Sequence, residues 1–225
     1  LRRHVVVDDD GLNRVRYRAW KSSTDDRKAL DTYVAQLQSM AASTLPDAER
    51  MAFWINLYNA VTLQVVLERY PVRSIRQIRS RTLDPRGLVG PWFERRITVE
   101  GQKLSLSEVE NTILRKQFNE PRIHYAINCA SNGCPSLQPA VWTGADLTSQ
   151  LESAASSFIN SPRGSRIDDS GRPSVSRIFK WYERDFDSGG GVTTHLQSVV
   201  TAEMKQQLAT STAPVRHHYD WLLND

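Results

Sequence analysis

The chain has 225 residues, 40% hydrophobic and 24% charged, which suits one large domain with a sizeable core and excludes bulk disorder. The net charge of +4 is scattered over Arg2, Arg3, Arg14, Arg16, Arg18 and then Arg73 to Arg86, without the dense basic run that marks nucleic-acid or membrane binding. No run of about eighteen apolar residues is present, so no transmembrane span is expected.

Residues 1–22 read as an entry segment, extended over 1–7 and alternating over 15–20. The chain starts at Leu1 with neither methionine nor an apolar leader, which reads as a trimmed end or a removed leader. After Asp25 the spacing of Leu30, Tyr33, Val34, Leu37, Met40 and Ala41 predicts an amphipathic helix. A second helix is bracketed by Pro46 in its first turn and Pro71 at its stop, with Asp47 and Glu49 at its positive end. Its interior is apolar nearly all round, so it should be buried on most sides, yet it carries Asn56 and Asn59, three apart on one face.

Residues 74–93 are rich in loop formers, and the basic stretch 73–81 reads as a solvated helix face or loop. Residues 97–106 predict a hairpin turning at Glu100-Gly101. Ser107 to Glu110 has the form of a capping box opening a helix to about Phe118, which Pro121 ends. The apolar run 122–129 then predicts a buried strand. Leu147, Leu151, Ala154, Ala155 and Phe158 predict another helix, and the polar stretch 161–173 a surface loop. Phe179, Trp181, Tyr182 and Phe186 form an aromatic group. Gly189 to Gly191 reads as a flexible joint, Val192 to Leu208 as one last helix, and 215–223 as a closing strand. The predicted fold is α+β: a single domain over 1–225, with several helices around a buried central helix at about 47–70, packed on a small, mainly antiparallel sheet.

The chemistry concentrates in residues 124–134, HYAINCASNGC, which hold His124, Asn128 and the two cysteines, Cys129 and Cys134. On a strand His124, Ala126 and Asn128 would share one face, and Cys129 would point away. Cys134 could fold back through the turn 130–133 and, if Pro135 began a helix, sit at a helix N-terminus as an activated thiolate. His124 would then be its base, with Glu110, Asn56, Asn59 or Asp185 as orienter. The opposing readings stay open: a Cys129–Cys134 disulfide, a satisfied core histidine, a capping Glu110 and asparagines that lock loops. His217 and His218 are adjacent and would face opposite ways on a strand. No zinc spacing, phosphate loop or nucleophile elbow is present, so neither metal nor cofactor is implied.

Five segments occur in order: AFWINLYNA (52–60), SLSEVENTILR (105–115), PRIHYAINCASNGCPSL (121–137), IFKWYERDF (178–186) and YDWLLN (219–224). Together they resemble the bacterial branch of domain-of-unknown-function family 547, from about Tyr17 to Asn224. The resemblance maps the family's motif residues onto Asn56, Asn59, Glu110, His124, Asn128, Cys129, Cys134, Trp181, Asp185 and Asp220. Asn111 departs from it where many relatives carry histidine, and Ser136 where a second proline is common. The family resemblance implies no activity. It does imply export, hence the periplasm or cell envelope. A general similarity to papain- and transglutaminase-like folds fails in detail, because the central helix has asparagines where those enzymes have cysteine.

Two functions follow as expectations. One is a thiol-dependent hydrolase or transferase acting on peptide or amide bonds, with Cys134, His124 and Glu110 as its catalytic residues. The other is a non-catalytic module in which Asn56, Asn59, Asn128, Cys129, Trp181 and Asp185 bind a small peptide-like or thiol ligand, or an envelope partner protein.

Overall fold

In the computed structural model, residues 1–8, 11–79, 90–210 and 215–225 are described. The chain opens with an antiparallel pair, β1 (Val5–Val7) and β2 (Asn13–Val15), with Val5 opposite Val15. The alternation expected over 15–20 gives way to helix α1 (Tyr17–Ser22). Tyr17 and Trp20, three apart, are both buried, so helical spacing sets that face. Helix α2 (Thr24–Gln38) is capped by Ser23, whose hydroxyl accepts from Asp26 N at 3.2 Å, and buries Leu30, Val34 and Leu37.

Helix α3 (Asp47–Arg69) is the central helix that the sequence predicts. Pro46 stands at the capping position, one residue before the helix, and the acidic Asp47 and Glu49 lie in its first turn, where the positive dipole end favours them. The helix is buried from Met51 to Leu67 except on narrow edges, packed by α1, α2 and the segment 106–114. One apolar cluster runs from Val5 to Leu223 around it.

The hairpin is β3 (Arg95–Val99) and β4 (Gln102–Ser105), with Val99 opposite Gln102. Both turn residues, Glu100 and Gly101, have positive φ (50° and 78°), which the primed hairpin turn requires and which glycine tolerates best. The helix after it starts two residues earlier than predicted. Ser105 caps α4 (Leu106–Glu108), its hydroxyl accepting from Glu108 N while Glu108 accepts from Ser105 N at 2.8 Å. The sequence offers overlapping frames, Ser105–Glu108 and Ser107–Glu110. Strand β4 ends on Ser105 and selects the first. Glu110 is thereby not a cap. It lies in a π-helical stretch, Val109–Leu114, that runs on into α5 (Arg115–Gln117).

The predicted strand at 122–129 is a correction. Residues Ile123–Ala126 form a helical turn, α6, closed by Ile123 N to Glu120 O and Ile127 N to Ile123 O. Residues 123–128 are all buried, and a short run buried throughout has no periodicity to tell strand from helix. The face assignment that separated His124 from Cys129 therefore does not apply.

Helix α7 (Leu147–Ile159) follows as predicted. The stretch 161–173 includes a strand, β5 (Ser165–Ile167), antiparallel to β6 (Pro173–Ser176). Helix α8 (Ile178–Trp181) and a 3-10 run (Glu183–Gly189) carry the aromatic group. The last predicted helix divides into α9 (Gly191–Val199) and α10 (Ala202–Thr210). Asn160 causes the break: its Nδ2 donates to Val199 O and its Oδ1 accepts from Thr201 N. Of the closing segment, β7 (Arg216–His218) pairs parallel to β6, and Leu223 makes one antiparallel bridge to Ser131. The fold is α+β, with the described strands distributed over three small sheets. Residues 80–89 of the loop-rich stretch, including Ser80 and Arg81 of the basic run, lie outside the described residues.

Candidate functional site

A cleft of about 290 Å³ opens beside α3, between the π-helical stretch, α8 and the C-terminal segment. Its walls are aromatic. Trp181, Tyr219 and Trp221 lie against one another with centroids 4.7–5.6 Å apart, and Trp92 meets Trp221 edge-on at 6.1 Å. Trp181 is 42% exposed, an unusual degree for tryptophan. Arg76 stacks over Trp221 at 5.0 Å.

Glu110, His124, Cys129 and Cys134 also line the cleft. Glu110 is buried, and its two oxygens accept from two phenols, Tyr182 at 2.6 Å and Tyr58 at 3.3 Å. Burial, reinforced by the Glu110 charge, pushes both phenols far above their usual range, so each keeps its proton and donates. Glu110 is the one carboxylate among the described lining residues; the nearby cations, Arg76 stacked on Trp221 and Arg115 stacked on Tyr182 at 4.8 Å, lie behind the aromatic wall.

His124 is buried, its ring stacked on Tyr182 at 4.0 Å. Its Nε2 lies 2.7 Å from Asp185 Oδ2. Asp185 is also gripped by Arg115, Nε at 2.6 Å and Nη2 at 2.9 Å. Burial acts to raise the Asp185 carboxyl, but the hydrogen bonds from His124 and Arg115 overcome it and hold the group far below the ordinary carboxylate range. Asp185 therefore only accepts, Nε2 carries a proton, and the ring's orientation is fixed. Asn111, the departure from the family pattern, accepts from Arg115 Nη1 at 2.6 Å and so helps to hold this arrangement.

Cys129 and Cys134 form a disulfide. In that state Cys134 has no thiolate, which corrects the expected nucleophile. Residues 135–141 are not helical either, so Cys134 does not sit at a helix N-terminus. The loop between the cysteines is fixed by backbone bonds to the C-terminal segment, Asn132 N to Leu222 O at 2.7 Å and Gly133 N to Asp220 O at 2.8 Å. A Cβ on Gly133 would stand 2.7 Å from Asp220 N, so this contact requires glycine.

Three predicted ligand-binding residues serve the backbone, and two of them face elsewhere. Asn59 donates to Ala126 O at 2.9 Å and accepts from Asn128 N at 2.8 Å. Asn56 grips Trp142 in the same two-way manner, at 2.8 and 3.0 Å. Both border a different cavity, of about 560 Å³, between α2, α3 and residues 137–142. Asn128 donates to Pro135 O and accepts from Ala130 N, locking the disulfide loop. Asp220 likewise accepts from Asn132 Nδ2 and Leu222 N. The structure thus gathers Glu110, His124, Cys129, Cys134, Trp181 and Asp185, and leaves the asparagines out. The sequence reading gave no role to Tyr58, Arg115 or Tyr219, and named Tyr182 only as one of an aromatic group. Each lies inside a motif quoted for the family resemblance, one to four residues from a residue singled out there, and that adjacency was the available signal.

The family profile described as "Protein of unknown function, DUF547" matches residues 42–159, more than half of the chain, and the chain belongs to that family. Searches of the curated proteins and of the solved structures gave no match. Among the described residues no helix is long and apolar enough to cross a membrane.

Proposed function

We propose that the cleft is a binding site for a small peptide-like ligand that presents a cationic group, such as an N-terminal amine or a lysine side chain. The observation that carries this reading is Glu110: the one carboxylate among the described residues that line an aromatic-walled cleft, with two phenol donors, acceptor capacity left over, and Arg115 behind the Tyr182 ring rather than in the cleft. Aromatic faces attract a cation by about 0.5–2 kcal/mol each, and a partly desolvated carboxylate adds a charge-assisted hydrogen bond. The three tryptophans report occupancy directly. The test is titration of tryptophan fluorescence with a short lysine-containing peptide bearing a free N-terminus. Glu110→Gln and Trp181→Ala should each weaken binding by about tenfold or more, and blocking the peptide's amines should abolish it. Equal binding of the blocked and free peptides would sink the reading.

A second reading, a thiol-dependent hydrolase or transferase, is favoured by one observation: His124, oriented by Asp185, lines the same cleft as both sulfurs. It requires the bridge to be opened first. Peptide-bond turnover by the reduced protein that Cys134→Ser abolishes would support it, and no turnover after full reduction would remove it. The bridge also supports residence in an oxidising space, for which we propose the periplasm or cell envelope. Thiol trapping in intact cells should then find the two cysteines oxidised.

A further inference from the structure

The disulfide is built as a reactive bridge rather than as a staple. A bridge between residues 5 apart removes less chain entropy than almost any other, and the loop it closes is already held without it. Besides the bonds from Asn132 and Gly133, Asn224 N donates to Ala130 O at 3.2 Å, and Asn128 Oδ1 fixes Ala130 N. Those contacts hold Ala130 in a left-handed conformation, φ 62°, that alanine avoids. The loop is therefore set in one shape whether or not the sulfurs are joined.

The two sulfurs differ. Both cysteines line the cleft, but Cys134 is 3% exposed whereas Cys129 is only half-buried. Cys134 Sγ accepts from the backbone N–H of Cys129 at 3.1 Å, a donor that Cys129 Sγ lacks. The hydroxyls of Tyr219 and Ser131 are shared by the two sulfurs, 3.1 and 3.4 Å from Cys134 Sγ and 3.1 and 3.3 Å from Cys129 Sγ, and lie 2.8 Å from each other. Burial pushes the Tyr219 phenol up, so it keeps its proton and can donate. The shared hydroxyls can turn to whichever sulfur carries charge, and the backbone N–H that only Cys134 Sγ receives makes the buried sulfur the better place for a thiolate.

We infer that the Cys129–Cys134 bridge is a thiol–disulfide exchange centre, in which a substrate thiolate entering the cleft attacks Cys129 Sγ and Cys134 departs as the stabilised thiolate. The step balances. The new bond is between the substrate sulfur and Cys129 Sγ, the bond broken is Cys129 Sγ–Cys134 Sγ, and its electron pair leaves on Cys134. A second thiolate attacking the substrate sulfur of the mixed disulfide completes the reaction. The substrate pair is then oxidised to a disulfide, and both cysteines are reduced. The substrate class is a small or peptide thiol, sized to a cleft of about 290 Å³. The chemistry goes beyond the binding reading and makes no use of Glu110, so failure of exchange and failure of peptide binding are separate results.

The experiment needs first only the unaltered protein. It is incubated folded with excess reduced glutathione, quenched with acid, alkylated and weighed by mass. The expected result is reduction of the folded protein at a rate comparable to that in urea. A bridge that stays closed in the folded protein, at a glutathione concentration that opens it in urea, would overturn the inference. The direction of attack is read from two single variants treated with oxidised glutathione. Cys134→Ser should form the mixed disulfide at Cys129 about tenfold faster than Cys129→Ser does at Cys134, and equal rates would refute the assigned order. Tyr219→Phe, with an unchanged far-ultraviolet circular dichroism spectrum, should slow reduction about tenfold by removing a donor to the leaving sulfur. An unchanged rate would remove the donor set from the mechanism.

Discussion

Helix α3 presents polar groups on two sides, and they meet opposite fates. On the side of the larger cavity, Asn56 and Asn59 each donate once and accept once, always to main-chain groups, and so serve as clamps for residues 126–128 and 142. On the side of the cleft, Tyr58 donates to Glu110, whose oxygens accept only phenol protons and retain capacity. A buried polar residue whose bonding is completed by backbone is part of the scaffold. One whose bonding is incomplete at the edge of a cavity is a candidate for recognition. The distinction can be broken from either side by substitution.

The largest effect should come from the clamp. Asn59→Ala leaves Ala126 O and Asn128 N unpaired in the interior and should destabilise the fold by about 2–3 kcal/mol in urea denaturation. Glu110→Gln should cost well under half of that while weakening cationic-ligand binding by about tenfold or more. If the two variants lost equal stability, the two sides of α3 would not differ in kind. Next in size is the bridge. Opening it should lower stability by about 2 kcal/mol on chain-entropy grounds, with the denaturant slope unchanged because the loop keeps its backbone bonds. A loss much above that would make the bridge a structural staple after all.

The sequence made the scaffold more legible than the site. The all-round apolar pattern of α3, the stripes of α2 and α7 and the Glu100-Gly101 hairpin were readable because each is a local signal. Residues 122–129 were not, since an apolar run buried on every side looks the same as strand or helix. Nor was the sorting of asparagines from carboxylates. The partners of Asn59 lie 67 and 69 residues away, and the Tyr182 partner of Glu110 lies 72 away. Nothing local tells which polar side chain is satisfied. The cluster of His124, Cys129 and Cys134 was visible as composition. The roles of Arg115 and Tyr219 depended on contacts over 70 and 85 residues.

An intermediate effect tests the Asp185 arrangement through pH. Its carboxyl is held below the unfolded value, so the folded protein binds fewer protons there than the unfolded chain does. The stability it contributes is complete above the unfolded pKa of about 4 and is lost as pH falls below it. Asp185→Asn should therefore flatten the acid limb of a stability–pH curve and lower stability at neutral pH by roughly 1 kcal/mol, with a partly exposed site damping the effect. A curve parallel to that of the parent would show that His124 and Arg115 do not grip Asp185 in solution.

The smallest effect concerns why Glu110 is free to face the cleft at all. Two capping frames overlap in Ser105-Leu106-Ser107-Glu108-Val109-Glu110, and only the first is used. Ser105→Ala should cost about 1 kcal/mol, the ordinary value of a lost cap, and Ser107→Ala only a few tenths, since Ser107 Oγ merely accepts from Asn111. The reverse order would mean that the helix starts two residues later in solution. Glu110 would then be turned back onto the backbone of Ser107, its phenol bonds to Tyr58 and Tyr182 would be lost, and the contrast between the two sides of α3 would fall with them.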